Sequence, residues 1–394
     1  MRINYNVNIR EEIFGATVSF VKNGKREYVN KEELQGILND NVFPNNINEH
    51  RNDDRCNIKF TPLNDKILTN QFSFADIVYL ELTRECNLRC VHCLNNSGEL
   101  MDNQLSMEEF KKLIMDLAEA GIQEIRFTGG EPIKFEGIYE LIKLATDNGI
   151  CTSIGTNGTL ITQELAHKLK KVGLKKSVVS IDGTQNKHDL IRGKGNYKKA
   201  MDGLNSLINA GIDVRVNAVI MKTNIEDVIK LAKELNKKKI RLFIRRFIES
   251  GRGENLKDNM LTKEDYSFVK KQLQEELTKN LYVNGHYLRN DEGVKSRIKL
   301  PFEIRGCKAG QRAIAIMPDG EIQLCGFLSA QNFPGVDNVR NIYDWRKFWN
   351  DIQKMDKLKY LRNNLDIYNG EANVQETYCL AYIQRYLNCK KCNL

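Results

Sequence analysis

Three cysteines close together are the residues of this sequence with the clearest chemistry. Cys86, Cys90 and Cys93 are spaced as Cys-x3-Cys-x2-Cys. Three thiolates can hold three irons of a [4Fe-4S] cluster, because cysteine sulfur is the usual ligand of such clusters. The fourth iron then has no protein ligand, and an open metal position is what a catalytic site requires. The same spacing also fits a structural zinc ion, with His92 or a distant cysteine as the fourth ligand.

Five further cysteines near the C-terminal end of the sequence indicate a second metal site. They are Cys307, Cys325, Cys379, Cys389 and Cys392. Cys307 and Cys325 lie at the two ends of a hairpin predicted over 312–324, which turns at Pro-Asp-Gly-Glu. Cys389 and Cys392 form a Cys-x2-Cys pair. These two pairs could close a site around zinc or an iron–sulfur cluster, and spacing alone barely separates the two metals. Cys56 and Cys151 are interpreted as ordinary thiols.

Length, composition and charge restrict the class of protein. At 394 residues with 41% hydrophobic residues, one large domain with one or two small ones is expected. No apolar run approaches the roughly 18 residues of a membrane span, and the first residues contain no apolar signal-peptide core, which predicts a cytoplasmic protein. The net charge of +9 is dispersed, which argues against a nucleic-acid surface. Ten cysteines in such a chain favour metal binding or catalysis over disulfides.

Residues 1–75 are predicted to form a separate small α+β unit. The segment 13–29 predicts a β-hairpin, because two runs of β-formers flank an Asn-Gly turn. Asn30 is then expected to cap a short helix with acidic residues in its first turn. The polar stretch 39–54 is predicted to be a loop.

Residues 76–250 repeat a strand–helix pattern. Strands are predicted at 77–82, 123–128, 151–156, 175–181, 213–220 and 240–245, with amphipathic helices such as 107–120 and 197–210 between them. Gly121, Gly149, Gly173 and Gly211 each end a helix just before a strand, as glycine does in the left-handed position after a last turn. Alternating strands and helices imply parallel pairing with right-handed crossovers. We therefore predict an α/β fold, a partial (β/α)6 TIM-type barrel, followed by a helical connector at 251–300 and a Cys-rich extension at 301–394.

Residues with chemical potential fall where these strands end. Barrel chemistry is carried at the carboxyl ends of the strands. After or at the ends of the six strands come, in order, the Cys86–Cys93 loop, Thr128–Pro132, Thr156–Thr159, Ser180–Gly183, Asn217, and Arg245 with Arg246. This convergence favours the iron–sulfur interpretation, because a zinc ribbon needs no barrel behind it.

The cysteine motif within such a barrel resembles the signature of the radical S-adenosylmethionine (SAM) enzymes. In that family the open iron binds the amino and carboxylate groups of SAM. The segment Gly129-Gly130-Glu131 resembles the family motif that holds the SAM amino group. Two glycines let the backbone approach a ligand, and Glu131 can accept from an ammonium group. Alone, the same segment would read as a turn with an exposed glutamate.

The resemblance implies further contacts to SAM. Asn157 and Ser180 correspond to polar contacts near the ribose, and Arg192 resembles an arginine near the SAM carboxylate or ribose. Asn217 is a further expected contact. His92 occupies the aromatic position of the cysteine motif, and the adenine is expected near its backbone.

The C-terminal cysteines resemble the twitch and SPASM extensions of radical SAM enzymes, which carry auxiliary [4Fe-4S] clusters. Two full auxiliary clusters need about seven or eight cysteines. With five present, the resemblance implies one auxiliary cluster. Its expected ligands are Cys307, Cys325, Cys389 and Cys392, with Cys379 able to replace one of them.

Segments 86–98, 182–195 and 250–253 resemble the peptide-maturing radical SAM enzymes, including those that process the mycofactocin and pyrroloquinoline quinone precursors. Residues 1–75 resemble the winged-helix unit that binds leader peptides in such enzymes. The resemblance implies reductive cleavage of SAM to a 5′-deoxyadenosyl radical. That radical would abstract hydrogen from a ribosomally made precursor peptide, leading to a cross-link, an epimerisation or an oxidation. The electron donor would be a protein such as flavodoxin or ferredoxin.

Two alternatives remain open at this point. The first is a small-molecule twitch radical SAM dehydrogenase acting on an aminosugar or alcohol, with residues 1–75 serving only to cap the barrel. The second is a non-catalytic, zinc-binding interaction module.

Overall fold

A computed structural model of the chain describes residues 5–40, 42–48, 57–63, 71–274, 283–285, 309–329 and 335–356. Its strands are β1 (Val7–Glu12), β2 (Gly15–Phe20), β3 (Arg26–Asn30), β4 (Ile58–Thr61), β5 (Ile77–Glu81), β6 (Glu124–Thr128), β7 (Cys151–Thr156), β8 (Lys176–Ser180), β9 (Asp213–Ile220), β10 (Arg241–Arg246), β11 (Val283–Gly285), β12 (Ala313–Ile316), β13 (Glu321–Gln323) and β14 (Asp337–Asn338).

The helices cover the outside of the larger sheet and one side of the smaller. They are α1 (Lys31–Asp40), α2 (Asn45–Asn48), α3 (Met107–Glu119), α4 (Ile138–Asp147), α5 (Gln163–Lys171), α6 (Gln185–Arg192), α7 (Asn196–Asn209), α8 (Ile225–Lys237), α9 (Lys263–Gln272), α10 (Gly326–Ser329) and α11 (Trp345–Lys354). Turns of 3₁₀ helix lie at Pro132–Lys134, Lys222–Asn224, Gly251–Asn259 and Val339–Asn341. None of the helices in these described ranges is long and apolar enough to cross a bilayer.

The larger sheet contains ten strands in the order β11-β10-β9-β8-β7-β6-β5-β12-β13-β14. Strands β5 to β10 are successive neighbours and all pair in parallel. They are the six predicted strands, and each boundary differs from its prediction by no more than one residue. The second neighbour of β5 is β12 and not β10, so the sheet stays open. The predicted partial barrel is confirmed.

The helix-ending glycines behave as predicted. Gly121, Gly149, Gly173 and Gly211 all have positive φ angles, between 71° and 108°. The apolar residue after each of them is buried beneath the helix it follows. At the other end of α3, Ser106 accepts from the Glu109 N–H while the Glu109 carboxylate accepts from Ser106, which is the reciprocal cap of a helix start.

The smaller sheet, in the order β3-β2-β1-β4, forms the N-terminal unit. The predicted hairpin is present as β2 and β3, and Asn30 caps α1 through a reciprocal bond with Glu33. The predicted loop 39–54 is wrong for most of its described part, because 39–40 end α1 and 45–48 form the single turn α2, which leaves only 42–44 irregular. Strand β1 was not predicted, because only Val7 and Ile9 of its six residues are apolar, which is too short an alternation to indicate a strand. Its polar side chains Asn8, Arg10 and Glu12 are buried, where an exposed face was the natural expectation.

The N-terminal unit packs on the amino end of the barrel. The Asn8 side-chain amide donates to the carbonyls of Ile122 and Gly149, at 3.0 and 3.2 Å. The Gln123 amide donates back to the Thr17 carbonyl at 3.0 Å. These barrel residues precede β6 and β7, so the unit covers the end of the barrel opposite the cysteine loop. This is the capping arrangement, and a leader-binding role for residues 1–75 stays a prediction.

A buried ion cluster joins the N-terminal unit, the barrel and the C-terminal hairpin. Asp76, only 1% exposed, pairs with Arg10, Arg26 and Arg312 at 2.9, 3.3 and 2.6 Å. Burial alone would raise the pKa of Asp76, but the three guanidinium groups outweigh it and hold that pKa below its ordinary value. The carboxylate therefore remains charged in the interior and connects three parts of the chain.

The predicted hairpin over 312–324 is present as β12 and β13, which pair antiparallel across the turn at 317–320. Cys325 follows β13. The other cysteines of the proposed auxiliary site (Cys307, Cys379, Cys389 and Cys392) lie outside the described residues.

We expect Asp76→Asn to lower the free energy of unfolding by about 3 kcal/mol, because it leaves buried guanidinium groups without a full counter-charge. The lowered pKa means that this stabilisation is present above pH 3.8, the ordinary pKa of the group, and is lost as the pH falls below it. Urea titrations at pH 7 measure the change. The matched control is Asp213→Asn, whose partner Arg241 is half-exposed, and its expected loss is at most about 1 kcal/mol. Equal losses in the two variants would contradict the assignment.

Candidate active site

The Cys86–Cys93 loop follows β5 at the carboxyl end of the barrel. Backbone N–H groups point at its sulfurs: Leu88 donates to Cys86 Sγ and Ser97 donates to Cys93 Sγ, each at 3.4 Å. Burial is the main cause that raises the pKa of Cys86 and of Cys90. Binding to a metal deprotonates such thiols outright, and N–H donors favour the charged sulfur.

The donor set fits an iron–sulfur cluster. It contains three thiols on one loop, and backbone donors help to stabilise negative sulfur. Cys90 and Cys93 are close enough to Cys86 for their charges to raise its pKa. Within the described part of the chain, no three His, Cys, Asp or Glu side chains converge on a point that could hold a single metal ion.

Asp182, fully buried after β8, is the centre of the hydrogen bonds that hold this loop. Its Oδ2 accepts from Arg192 Nε at 2.6 Å and lies 2.9 Å from His92 Nε2, while its Oδ1 accepts from the Val219 N–H at 2.8 Å. Burial opposes the charge, but Arg192 and then His92 hold the pKa of Asp182 below its ordinary value. Arg192 also reaches Cys90, with its Nη1 3.8 Å from Sγ. One carboxylate thus connects the cysteine loop with β8, α6 and β9.

The backbone around Asp182 is held as firmly as its side chain. The Asp182 N–H donates to Nδ1 of His188 at 3.3 Å, and Asn224 Nδ2 donates to the Asp182 carbonyl at 3.0 Å. His188 is buried, and burial is the main cause that lowers its pKa to about 4. The imidazole is therefore neutral at pH 7, as its acceptor role requires.

Gly129 and Gly130 allow two loops to approach each other. The Gly130 N–H donates to the Thr83 carbonyl at 2.6 Å, and a Cβ on Gly130 would lie 2.2 Å from the Glu85 carbonyl oxygen. Gly129 has a φ of 137°, and its Cβ would lie 2.4 Å from the Thr83 carbonyl oxygen. The close approach is therefore to the chain's own backbone beside the cysteine loop. Any side chain here would push that loop away, whatever contact the glycines make with a ligand.

Glu131 is fully buried, which excludes the exposed-turn alternative. Its carboxylate accepts from the Thr156 hydroxyl at 2.7 Å, the Asn157 N–H at 2.8 Å and the Ile133 N–H at 3.3 Å. Burial is the largest cause that raises its pKa, to about 7. Glu131 therefore joins the loop after β6 to the loop after β7. Its contact with the SAM ammonium group stays a prediction.

The remaining predicted SAM contacts lie around the same opening. Asn157 Nδ2 donates to Asn87 Oδ1 at 2.9 Å and lies 3.9 Å from Cys86 Sγ. Ser180 and Asn217 are paired in register on β8 and β9, and both are half-buried. Asn217 Oδ1 is buried and has no hydrogen-bond partner among the described residues. A buried acceptor without a donor at this position fits a polar ligand.

Arg252 is a site residue that the sequence did not single out. Its Nε donates to the Cys90 carbonyl at 2.9 Å, and its Nη1 donates to the Ser97 carbonyl at 2.8 Å. Its own N–H donates to the Cys93 carbonyl at 3.1 Å. The segment 250–253 was noted for its resemblance to peptide-maturing radical SAM enzymes. Its residue types alone do not indicate that Arg252 binds loop carbonyls.

Comparison with known proteins gives consistent results. The profile of the Radical SAM superfamily matches residues 80–235. An AdoMet-dependent heme synthase from Nitratidesulfovibrio vulgaris is 31% identical over 294 residues, which cover 69% of this chain and 78% of that protein. Mycofactocin maturase MftC from Mycolicibacterium smegmatis is 30% identical over 260 residues, or 64% of each chain. SuiB from Streptococcus suis, crystallised with the precursor peptide SuiA, has a TM-score of 0.66 at 18% identity, with 88% of this chain and 87% of that chain covered.

The chain belongs to the radical SAM superfamily of enzymes. The cysteine motif and the partial barrel predicted this membership, and it is confirmed. Membership implies a [4Fe-4S] cluster and SAM as cofactors. The likeness to SuiB shows that the two proteins share a fold.

We expect Arg252→Gln to loosen the 86–98 loop, because three hydrogen bonds from the guanidinium group to Cys90, Asn96 and Ser97 are lost. Amide hydrogen exchange of this loop in the metal-free protein, followed by mass spectrometry, should accelerate by at least about tenfold. Lys257→Gln removes an exposed cation from the same 3₁₀ segment and should leave the exchange unchanged. Equal exchange in Arg252→Gln and the wild type would mean that other contacts hold the loop.

Proposed function

We propose that the protein is a radical SAM maturase that modifies a ribosomally made precursor peptide by cross-linking, epimerisation or oxidation. The observation that carries the proposal is the position of the three-thiol loop, which Asp182 and Arg252 hold at the open carboxyl end of a radical SAM barrel. The peptide substrate is supported by similarity to a mycofactocin maturase, and by a shared fold with an enzyme crystallised with its precursor peptide.

The cluster and SAM would be bound by neighbouring loops at the carboxyl end of the barrel. Cys86, Cys90 and Cys93 would hold the cluster, and SAM would lie over the ends of β6 to β9. Its expected contacts are His92, Gly129, Gly130, Glu131, Asn157, Ser180, Arg192 and Asn217. When bound, the cluster and SAM supply the reducing chemistry that generates a carbon-centred radical. The protein's task is to hold the substrate carbon close by and to exclude water.

Residues 1–75 are proposed to bind the leader segment of the peptide. In the sheet order β3-β2-β1-β4, β3 is an outer strand of the described unit, and an extended peptide can add to an outer strand. The unit lies at the amino end of the barrel, while the thiol loop lies at the carboxyl end. The six residues of β7 span about 20 Å between these ends. The leader and the modified residue must therefore be separated by at least about six extended residues.

One auxiliary [4Fe-4S] cluster is proposed in the C-terminal extension, with Cys307, Cys325, Cys389 and Cys392 as ligands and Cys379 as a possible replacement. Cys325 lies at the foot of the β12–β13 hairpin. The residue after it lies beside the barrel interior, since a Cβ on Gly326 would be 3.8 Å from Glu81 Oε1. An electron-accepting cluster near the substrate would suit a net oxidation.

The proposal also includes an external electron donor, such as flavodoxin or ferredoxin. It further includes a cytoplasmic location for the protein. The composition supports them, because a chain with ten cysteines, most of them expected at metal sites, requires reducing conditions.

A second candidate function is favoured by the similarity to the heme synthase, which extends over 78% of that relative. On this alternative the substrate is a small molecule of the porphyrin class, and the N-terminal unit only caps the barrel. Both candidates use the same thiol loop and the same SAM site.

We expect the anaerobically reconstituted and reduced protein to convert SAM to 5′-deoxyadenosine, and to change the mass of a peptide encoded beside its gene. Chromatography with mass spectrometry measures both products. Cys90→Ala should reduce 5′-deoxyadenosine by at least about a hundredfold, because a cluster ligand is lost. The control is Cys151→Ala, which removes a buried thiol at the amino end of β7. The same assay is repeated with an iron porphyrin in place of the peptide. If the peptide is unchanged and the iron porphyrin is consumed, the peptide proposal is contradicted and the second candidate is favoured.

We expect the reconstituted protein to hold about eight irons, since two cubane clusters carry four each. Cys325→Ala should lower this to about four and spare part of the SAM cleavage, because the first cluster is intact. Iron analysis and the visible absorption spectrum measure the loss. About four irons in both proteins would argue against an auxiliary cluster.

A further inference from the structure

The interior of the barrel carries more cations than carboxylates among the described residues. Arg126, Lys176, Arg215 and Arg245 lie on the inward-facing positions of four different strands. Glu124 is committed to two of them, with Arg126 at 3.0 Å and Lys176 at 3.3 Å.

Two further carboxylates on the barrel strands are also paired: Glu81, which is buried, and Asp213, which is exposed at the rim. Glu81 pairs with Arg84 at 3.0 Å, and Asp213 pairs with Arg241 at the lower rim. Within the described part of the chain, no aspartate or glutamate forms an ion pair with Arg215. Among the described residues, Arg215 therefore has no carboxylate in ion-pair contact, and Glu124 acts on its charge only from a longer distance.

Arg215 is held in place by packing rather than by hydrogen bonds. Its Cζ lies 5.4 Å from the centroid of the Phe243 ring, and Arg245 Cζ lies 5.3 Å from the same centroid. Its Nε is buried without a hydrogen-bond partner among the described residues. Burial, followed by the charges of Arg126 and Arg245, lowers the pKa of Arg215 to about 9, so the group is still charged at pH 7. A buried charge without a partner is costly, and an anionic ligand would relieve that cost.

Small residues border Arg215 on the neighbouring strands. Val178 is its register partner on β8, and Gly155 faces the interior from β7. A Cβ on Gly155 would meet only the Thr128 side chain, at an ordinary contact distance of 3.5 Å. Ser180 and Asn217 lie two residues further along β8 and β9, about 7 Å closer to the thiol loop.

We propose that Arg215 anchors a carboxylate of the peptide substrate inside the barrel, one layer beneath the residues expected to contact SAM. A guanidinium group binds a carboxylate through two parallel hydrogen bonds, and packing on Phe243 fixes the plane from which Arg215 donates them. The anchored group is the C-terminal carboxylate of the peptide or that of an acidic side chain. The identity of the substrate as a peptide rests on the proposed function, but the presence of a carboxylate subsite does not.

Calorimetric titration with matched acid and amide probes tests the subsite. The full-length reconstituted protein, with SAM bound and no reductant, is titrated with N-acetylglycine and with neutral N-acetylglycinamide. N-acetylglutamic acid α-amide and N-acetylglutamine amide form the side-chain pair. In the wild type, at least one acid should bind at least about tenfold more tightly than its amide, and the pair that shows the preference identifies the source of the carboxylate. In Arg215→Gln the preference should fall to within about twofold, while Arg215→Lys should retain part of it.

Arg241→Gln is the matched control, because it removes an arginine of the adjacent strand that is already paired with Asp213. It should keep the preference. If Arg215→Gln does not fold, Val178→Glu tests the same point by supplying an internal carboxylate beside Arg215, and it should abolish the preference where Val178→Gln does not. No preference in the wild type, or one that survives Arg215→Gln or Val178→Glu, overturns the subsite. A preference that depends on Arg215 in a protein that modifies no peptide supports the subsite and removes the proposed function.

Discussion

A fully buried carboxylate, Asp182, is the interaction on which the arrangement of the site depends. The thiol loop has no regular secondary structure of its own, so its position comes from contacts with other parts of the barrel. Asp182 supplies them through Arg192 and His92, and it is itself fixed by the backbone of β9. The pair of Asp182 and Arg192 is neutral overall, which lowers the free-energy cost of burying the two charges. The guanidinium group still extends to Cys90, where it can offset part of the negative charge that three thiolates bring.

The opposite end of the barrel is organised by a second buried charge. Asp76 pairs with two arginines of the N-terminal unit and with Arg312, which directly precedes the first strand of the C-terminal hairpin. The N-terminal sheet then covers the loops that precede β6 and β7. Among the described residues this arrangement covers the amino end and leaves the carboxyl end, where the thiol loop lies, as the side open to a substrate. Because the amino end of the barrel is covered, water has less access to the interior. Radical chemistry requires such exclusion of water.

The strands and helices of the barrel were predicted well from the sequence, because their positions depend on local patterns. Strand boundaries followed from apolar runs, and helix ends followed from glycines that adopt positive φ. The contacts of individual site residues could not be predicted in the same way. His92 meets Asp182 across 90 positions of sequence, and His188 lies in the interior, where it accepts from the Asp182 N–H. The sequence alone left Glu131 open as an exposed turn residue, whereas it is buried and connects two loops by hydrogen bonds. Burial patterns report which face of a strand is covered, but they do not identify the partners that satisfy its polar groups.

The relatives indicate where substrate choice must be encoded. Proteins named as a heme synthase and as a mycofactocin maturase both match well over half of this chain, and those names indicate substrates of very different shape. A carbon-centred radical abstracts hydrogen from whichever carbon is held nearest, so selectivity depends on position more than on reactivity. In a barrel of this kind, inward-facing side chains of the strands can help to set that position. In this chain those side chains combine small residues on β7 and β8 with arginines on β9 and β10. The carboxylate subsite proposed at Arg215 follows from such an interior, because a charge–charge contact is strongest where water is excluded.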